Sequence, residues 1–171
     1  MLEVGYGSGV LLKTLAAFST ELYAVDFHSN IAPVEEMMKR EGFQARLSQG
    51  DVLKLDFPDD FFDAVLCYST LEHVQDTDRA MSELTRVLKA KGTAIIGIPV
   101  VSRTMDFLFS LIPPGGGHHD TDSSHDKILA SCRKITNVEC VRRLPPSLPM
   151  FATLYFVCKC RKRATTSCFA T

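Results

Sequence analysis

The segment Glu3-Val4-Gly5-Tyr6-Gly7-Ser8-Gly9 constrains this chain more than any other feature. It joins a short apolar run, Met1 to Val4, to the helix-forming stretch Val10 to Phe18. Glycines at such a junction let backbone approach a ligand closely, and the free N–H groups of a helix start favour polar or negative groups. A dinucleotide fingerprint would need glycine at position 10, where this chain has Val10. A phosphate loop would need a Lys-Ser/Thr pair after a longer loop, and that is absent. The glycine spacing alone is weak evidence; its place directly after a first strand strengthens it.

The following residues supply the frame for that loop. Leu22 to Val25 is an apolar run closed by Asp26. Residues 31–41 read as a helix with Asn30 as its cap, Pro33 in its first turn and Gly42 as its stop. Phe43 to Leu47 gives a third strand, ended by Gly50 and Asp51. Asp56 to Asp60 reads as a loop, and Phe61 to Cys67 as a buried strand. Residues 77–89 place Ala80, Met81, Leu84, Val87 and Leu88 at helical spacing, with Thr77 or Asp78 at the cap. Gly92 follows, and Thr93 to Ile98 is a fifth strand stopped by Pro99. Short strands alternating with helices predict an α/β fold with a mostly parallel sheet covered on both faces.

Beyond residue 100 the pattern loosens. Residues 100–112 are crowded with apolar side chains, and Pro113 to Asp126 read as a long flexible loop. Ile128 to Cys132 reads as the end of a helix. Ile135 to Leu144 and Ala152 to Cys160 read as two strands joined by a proline-rich turn. The whole is expected to be one domain over residues 1–163 with a tail at 164–171, since 171 residues is the usual size of a single domain.

Composition narrows the function classes. Lys and Arg total 19 against 20 Asp and Glu, so no global basic field recruits nucleic acid. No stretch approaches the ~20 apolar residues of a membrane-spanning helix. Cys67, Cys132, Cys140, Cys158, Cys160 and Cys168 form no CxxC pair and no zinc spacing, which predicts reduced thiols in a cytoplasmic compartment. His118, His119, Asp120, Asp122, His125 and Asp126 have metal-ligand chemistry, but a Gly/Ser-rich loop fixes no geometry, so no metal is expected.

Two acidic residues reinforce the glycine loop. Ligands of open parallel sheets sit outside the carboxyl ends of the strands, where Asp26 and Asp51 both fall. A carboxylate at position 26 can accept two ribose hydroxyls, and one at position 51 an adenine amino group. Each alone reads equally well as a turn or cap residue; together with the loop they favour the ligand.

With EVGYGSG, AVDFH, GDVLKLDFPDDFFDAVLCYSTLEHV and LTRVLKAKGTAIIGIP in order, residues 1–100 resemble the class I S-adenosylmethionine-dependent methyltransferases, and within them the small-molecule type 11 group. The resemblance implies a Rossmann-like three-layer sandwich with a seven-stranded sheet of order 3-2-1-4-5-7-6, strand 7 antiparallel. It implies S-adenosylmethionine as cofactor and a small molecule or lipid as methyl acceptor. Glu3 would lie near the methionine part, Gly5, Tyr6, Gly7 and Gly9 would wrap the cofactor, Asp26 would hold the ribose, and Asp51 with the Val52 backbone would read adenine. Tyr68 matches a position that touches the methionine moiety. Tyr6 departs from the small residue usual there, predicting a ring that crowds or stacks on the cofactor.

Glu72 and His73 are the best-placed titratable pair for a general base, and equally a structural turn. The family places one or two helices before the first strand, and none precedes it here. An open pocket wall and an exposed apolar sheet face, coverable by a partner protein, are therefore expected, and the alternative function is a non-catalytic cofactor-binding or scaffold subunit.

Overall fold

Leu2–Val4 form β1, a strand buried at every residue, as a short apolar run must be at the centre of a parallel sheet. The computed structural model describes residues 1–100, 123–146 and 154–163. Along them run β1, α1 (Leu12–Ala17), β2 (Tyr23–Asp26), α2 (Ala32–Glu41), β3 (Arg46–Gln49), β4 (Phe62–Tyr68), a 3₁₀ turn (Leu71–His73) and α3 (Thr77–Arg86). β5 (Leu88–Pro99), α4 (His125–Ile135), β6 (Asn137–Leu144) and β7 (Tyr155–Arg161) complete the order. The seven strands lie in the order β3-β2-β1-β4-β5-β7-β6. β1 to β5 pair in parallel, and β7 runs antiparallel to both β5 and β6. This is the sheet that the family resemblance implies.

Side-chain alternation divides the sheet into two unequal faces. Leu2, Val4, Val65, Cys67, Ala94, Ile96 and Ile98 point to one side, where Met81 and Leu84 of α3 and Ile128 and Cys132 of α4 close the larger core. Ala24 points to the other side, into a smaller core with Leu12, Leu22, Val34 and Met38 beneath α1 and α2. That second face is open over β4, β5 and β7: Leu66 and Val157 are half-buried, and Ile95 is 39% exposed. The exposed apolar face expected from the sequence is present among the described residues.

Several element ends differ from the sequence reading, each for a packing reason. β3 starts at Arg46 rather than Phe43, because pairing sets Tyr23 opposite Arg46 while Phe43 packs on the smaller core instead. Asn30 does not cap α2; Ile31 stands there without a side-chain bond. Asp76 caps α3, accepting from the Arg79 N–H at 2.9 Å, in place of Thr77 or Asp78.

α3 ends at Arg86, and Leu88 already belongs to β5. Gly92 sits inside that strand, where the register slips between Phe62 and Ala64 of β4; a Cβ there would lie 2.6 Å from Leu88 Cδ1. α4 begins at His125, capped by Ser124, so the end of the expected loop is helical. His118, His119, Asp120 and Asp122 lie outside the described residues, as does the tail 164–171.

The loop between β3 and β4 is clasped to α3 by Arg86. Its guanidinium donates to the Leu55 carbonyl at 2.8 Å, the Phe57 carbonyl at 2.8 Å, Asp59 at 2.7 Å and Glu83 at 2.9 Å. Glu83, buried at 6% exposure, also accepts the Leu55 N–H at 3.0 Å. Removing the cation leaves two carbonyls without their donor and a buried carboxylate without its counter-charge, held only by the Leu55 N–H among its close bonds, a costlier state than never having made the bonds. Arg86→Ala is expected to destabilise the fold by about 2–4 kcal/mol, read as a lowered urea midpoint.

Candidate functional site

At the carboxyl end of β1 the chain turns sharply. Gly5 has φ 80°, and its N–H donates to the Val25 carbonyl at 2.7 Å. A Cβ at this position would fall 1.9 Å from Thr70 Oγ1. Thr70 fills the space because its one hydroxyl hydrogen is shared between the carbonyls of Val4 at 3.3 Å and Tyr68 at 3.1 Å, lacing the exits of β1 and β4 together. Gly7 has φ 51° and faces open space, with nothing within 4 Å of a would-be Cβ. One glycine is demanded by the protein's own packing; the other leaves the outer side of the loop free.

Asp26, at the end of β2, holds that loop in place. Its carboxylate accepts the Gly7 N–H at 2.8 Å and the His28 N–H at 3.1 Å. With one such bond on each oxygen, lone pairs remain for a ligand's hydroxyls. His28 adds a second tie, with Nε2 3.0 Å from the Gly7 carbonyl. Its ring meets Tyr6 edge-on, centroids 5.1 Å apart.

Tyr6 itself is 3% exposed and packs with Leu12, Val34 and Met38 beneath α1 and α2. The ring expected to crowd the cofactor is instead turned into the smaller core, where Leu12, Val34 and Met38 pack against it.

Glu3 lies on the same face as Ala24 and Leu66, its partners in the register. It is 2% exposed, and its Oε2 is buried with no hydrogen-bond partner. Burial, and secondarily the Asp26 carboxylate, raises its pKa from 4.5 to about 7. A carboxyl so placed is suited to receive a cationic group, which would repay its lost hydration.

The remaining expected residues take different places. Asp51 is exposed and accepts the Leu53 N–H at 2.8 Å, which makes it a turn residue locally. It stands beside Asp26, since the Gly50 N–H reaches the Asp26 carbonyl at 2.8 Å. The Val52 side chain is part of the larger core. Tyr68 is half-buried at the end of β4. Glu72 and His73 share the 3₁₀ turn but part company there: Glu72 is 5% exposed and His73 is exposed. Thr70 and His28 carry much of the geometry and escaped the sequence reading, because their partners lie at distant positions.

Residues 2–96 match the family model described as a methyltransferase domain. The chain belongs to the class I S-adenosylmethionine-dependent methyltransferases. The chain is 31% identical over 105 residues to the ubiquinone biosynthesis O-methyltransferase of Rickettsia conorii, covering 61% of this chain and 35% of that protein. It is 33% identical over 99 residues to the phosphatidylethanolamine N-methyltransferase of Cereibacter sphaeroides, covering 56% and 48%. The chain thus spans about a third to a half of the length of these curated relatives.

Among solved structures, a SAM-dependent methyltransferase from Aquifex aeolicus superimposes with a TM-score of 0.73 at 18% identity, covering 95% of this chain and 81% of that one. The [4+2]-cyclase SpnF superimposes with a TM-score of 0.74 at 18% identity, over 94% and 73%. Those likenesses concern the fold, which does not by itself decide the reaction.

The residues present fit the family's cofactor. The open side of Gly7, the spare lone pairs of Asp26 and the unpartnered, buried oxygen of Glu3 stand close together: Gly7 is bonded to Asp26, and Asp26 shares the face of Ala24, the register partner of Glu3.

Two outcomes follow from this geometry. Gly5→Ala combines a positive φ with a clash against Thr70, so it should unfold or aggregate the chain. Gly7→Ala should cost only about 1 kcal/mol of stability while placing a methyl group on the open side of the loop, which calorimetry with the cofactor would read as lost binding at nearly unchanged melting temperature. For Glu3, the unfolded carboxyl ionises near 4.5 while the folded one stays protonated to about 7. Stability should therefore fall as pH rises through that window, by on the order of 2 kcal/mol, and level off above it. Urea midpoints at pH 4.5 and 7.5 should show this fall, and Glu3→Gln should abolish it.

Proposed function

We propose that this chain carries out S-adenosylmethionine-dependent methyl transfer to a small-molecule or lipid acceptor. The observation that carries the reading is the grouping of Gly7, Asp26 and Glu3 on one face of β1 and β2, with Gly7 bonded to Asp26 and a Glu3 oxygen left without a partner. The relatives' names, an O-methyltransferase of ubiquinone biosynthesis and a phosphatidylethanolamine N-methyltransferase, support the acceptor class.

When bound, the cofactor supplies an electrophilic sulfonium methyl group. In this reading Asp26 accepts the ribose hydroxyls with the lone pairs left by Gly7 and His28. Asp51 and the Val52 backbone meet the adenine, and the backbone of Gly5, Tyr6, Gly7 and Gly9 lines the cofactor's path. Glu3 takes the ammonium of the methionine part, beside Tyr68. The chain's work is mainly alignment, because displacement at a methyl group needs nucleophile, carbon and leaving sulfur in line. His73 is a base only for an acceptor that must lose a proton, with Glu72 buried behind it as a structural neighbour. The free cysteines of the described residues support a reducing, cytoplasmic location.

A second reading is favoured by the half-open face at Leu66, Ile95 and Val157: a cofactor-binding or scaffold subunit whose sheet a partner protein covers. Calorimetric titration with S-adenosylmethionine tests the first. Micromolar-range binding that Asp26→Ala weakens at least tenfold is the expected result. No binding by the folded chain would overturn the enzyme reading and leave only the scaffold form of the second.

A further inference from the structure

The ligand ends of the strands carry a group that the cofactor reading leaves unused. Tyr155 opens β7 opposite Pro99 of β5, and Tyr68 closes β4 opposite Gly97. A Cβ at Gly97 would lie 2.0 Å from Tyr68 Cδ2, so this glycine lets the Tyr68 ring lie over β5. The two tyrosine rings then stack with centroids 5.1 Å apart and planes 17° from parallel. Tyr155 Oη and Ser69 Oγ are 3.0 Å apart. Ser69 is held in the left-handed region at φ 51°, and its N–H donates to the Gly97 carbonyl at 3.2 Å. All three residues are partly buried rather than sealed. A non-glycine residue kept at positive φ marks a place where the surroundings override local preference.

We propose that Tyr155 and Ser69 form the acceptor subsite and select a neutral acceptor with a planar ring that bears a hydroxyl group. The inference rests on the methyltransferase reading and deepens it. Moving outward along the sheet from Glu3 on β1, one crosses Tyr68 on β4 and then Tyr155 on β7, so the tyrosine pair borders the place where a transferable methyl would be held. Stacked aromatic faces favour a flat ring. The hydroxyl pair has one donor and free lone pairs left over for an acceptor's hydroxyl. Glu72 brings a buried carboxyl group close to Tyr68, which disfavours an anionic acceptor.

Catechol is the probe, titrated into the full chain in the presence of S-adenosylhomocysteine and followed by ligand-observed NMR, with benzoate and ethanolamine alongside. Catechol should bind in preference to both. Tyr155→Phe and Ser69→Ala should each weaken it about 3- to 10-fold, the worth of one neutral hydrogen bond, with uptake of S-adenosylhomocysteine retained. Tyr155→Ala should weaken it further. Catechol that fails to bind, that binds equally to Tyr155→Phe and Ser69→Ala, or that binds no better than benzoate or ethanolamine overturns this inference alone. Failure of the unmodified chain to take up S-adenosylhomocysteine overturns the methyltransferase reading and this inference with it.

Discussion

Thr70 occupies the space where a side chain at position 5 would have to go, and the ligand edge of the molecule depends on that contact. Because Gly5 yields to it, the loop leaving β1 turns between the exits of β2 and β4. Gly5 is held to β2 through the Val25 carbonyl, and Thr70 ties β4 to β1 through the carbonyls of Val4 and Tyr68. Gly7 is thereby brought to Asp26, which in turn fixes His28. Each of these bonds contributes only about 1 kcal/mol net. Their joint effect is positional: a carboxylate, a backbone turn and an imidazole are held in one relative geometry.

The unequal faces of the sheet explain the character of Glu3. β1 alternates with period two, so Leu2 and Val4 enter the larger core and the residue between them cannot. Glu3 is consequently delivered to the face of Ala24 and Leu66, dry enough to raise its pKa but bordered by the strand ends. An apolar residue there would satisfy the sheet better. A polar group kept at that cost is the kind of local conflict expected at a functional position.

Much of the framework was legible because strands and stops share simple signals. Apolar runs ending at Gly5, Asp26 and Pro99 located β1, β2 and the end of β5, and Gly42 ended α2 in the left-handed conformation expected of it. The strand order came from the family resemblance, since periodicity does not say which strands are neighbours. Element starts were less legible. Val87 and Leu88 fit a helical pattern, yet pairing with β4 draws Leu88 into β5. Asp26 could be singled out because it closes the second apolar run, where ligands of open parallel sheets sit, and Glu3 because it stands in the motif that carries the family resemblance. Thr70, His28 and Tyr155 could not, since nothing local marks a threonine as the filler behind a glycine far away, or a strand's first tyrosine as the partner of a serine just past the end of another strand.

The insertion of β7 between β5 and β6 also orders the assembly of the molecule. During synthesis β6 emerges before the strand with which it pairs, while the parallel pairs from β1 to β5 are already available to one another. Until β7 threads between them, β5 has an open edge and β6 has no neighbour in the sheet. The same late strand brings Tyr155 to Ser69 and Tyr68. A nascent chain therefore acquires its glycine loop early and its tyrosine pair last, and an intermediate with the first and without the second is a natural client for chaperones that shield unpaired strand edges.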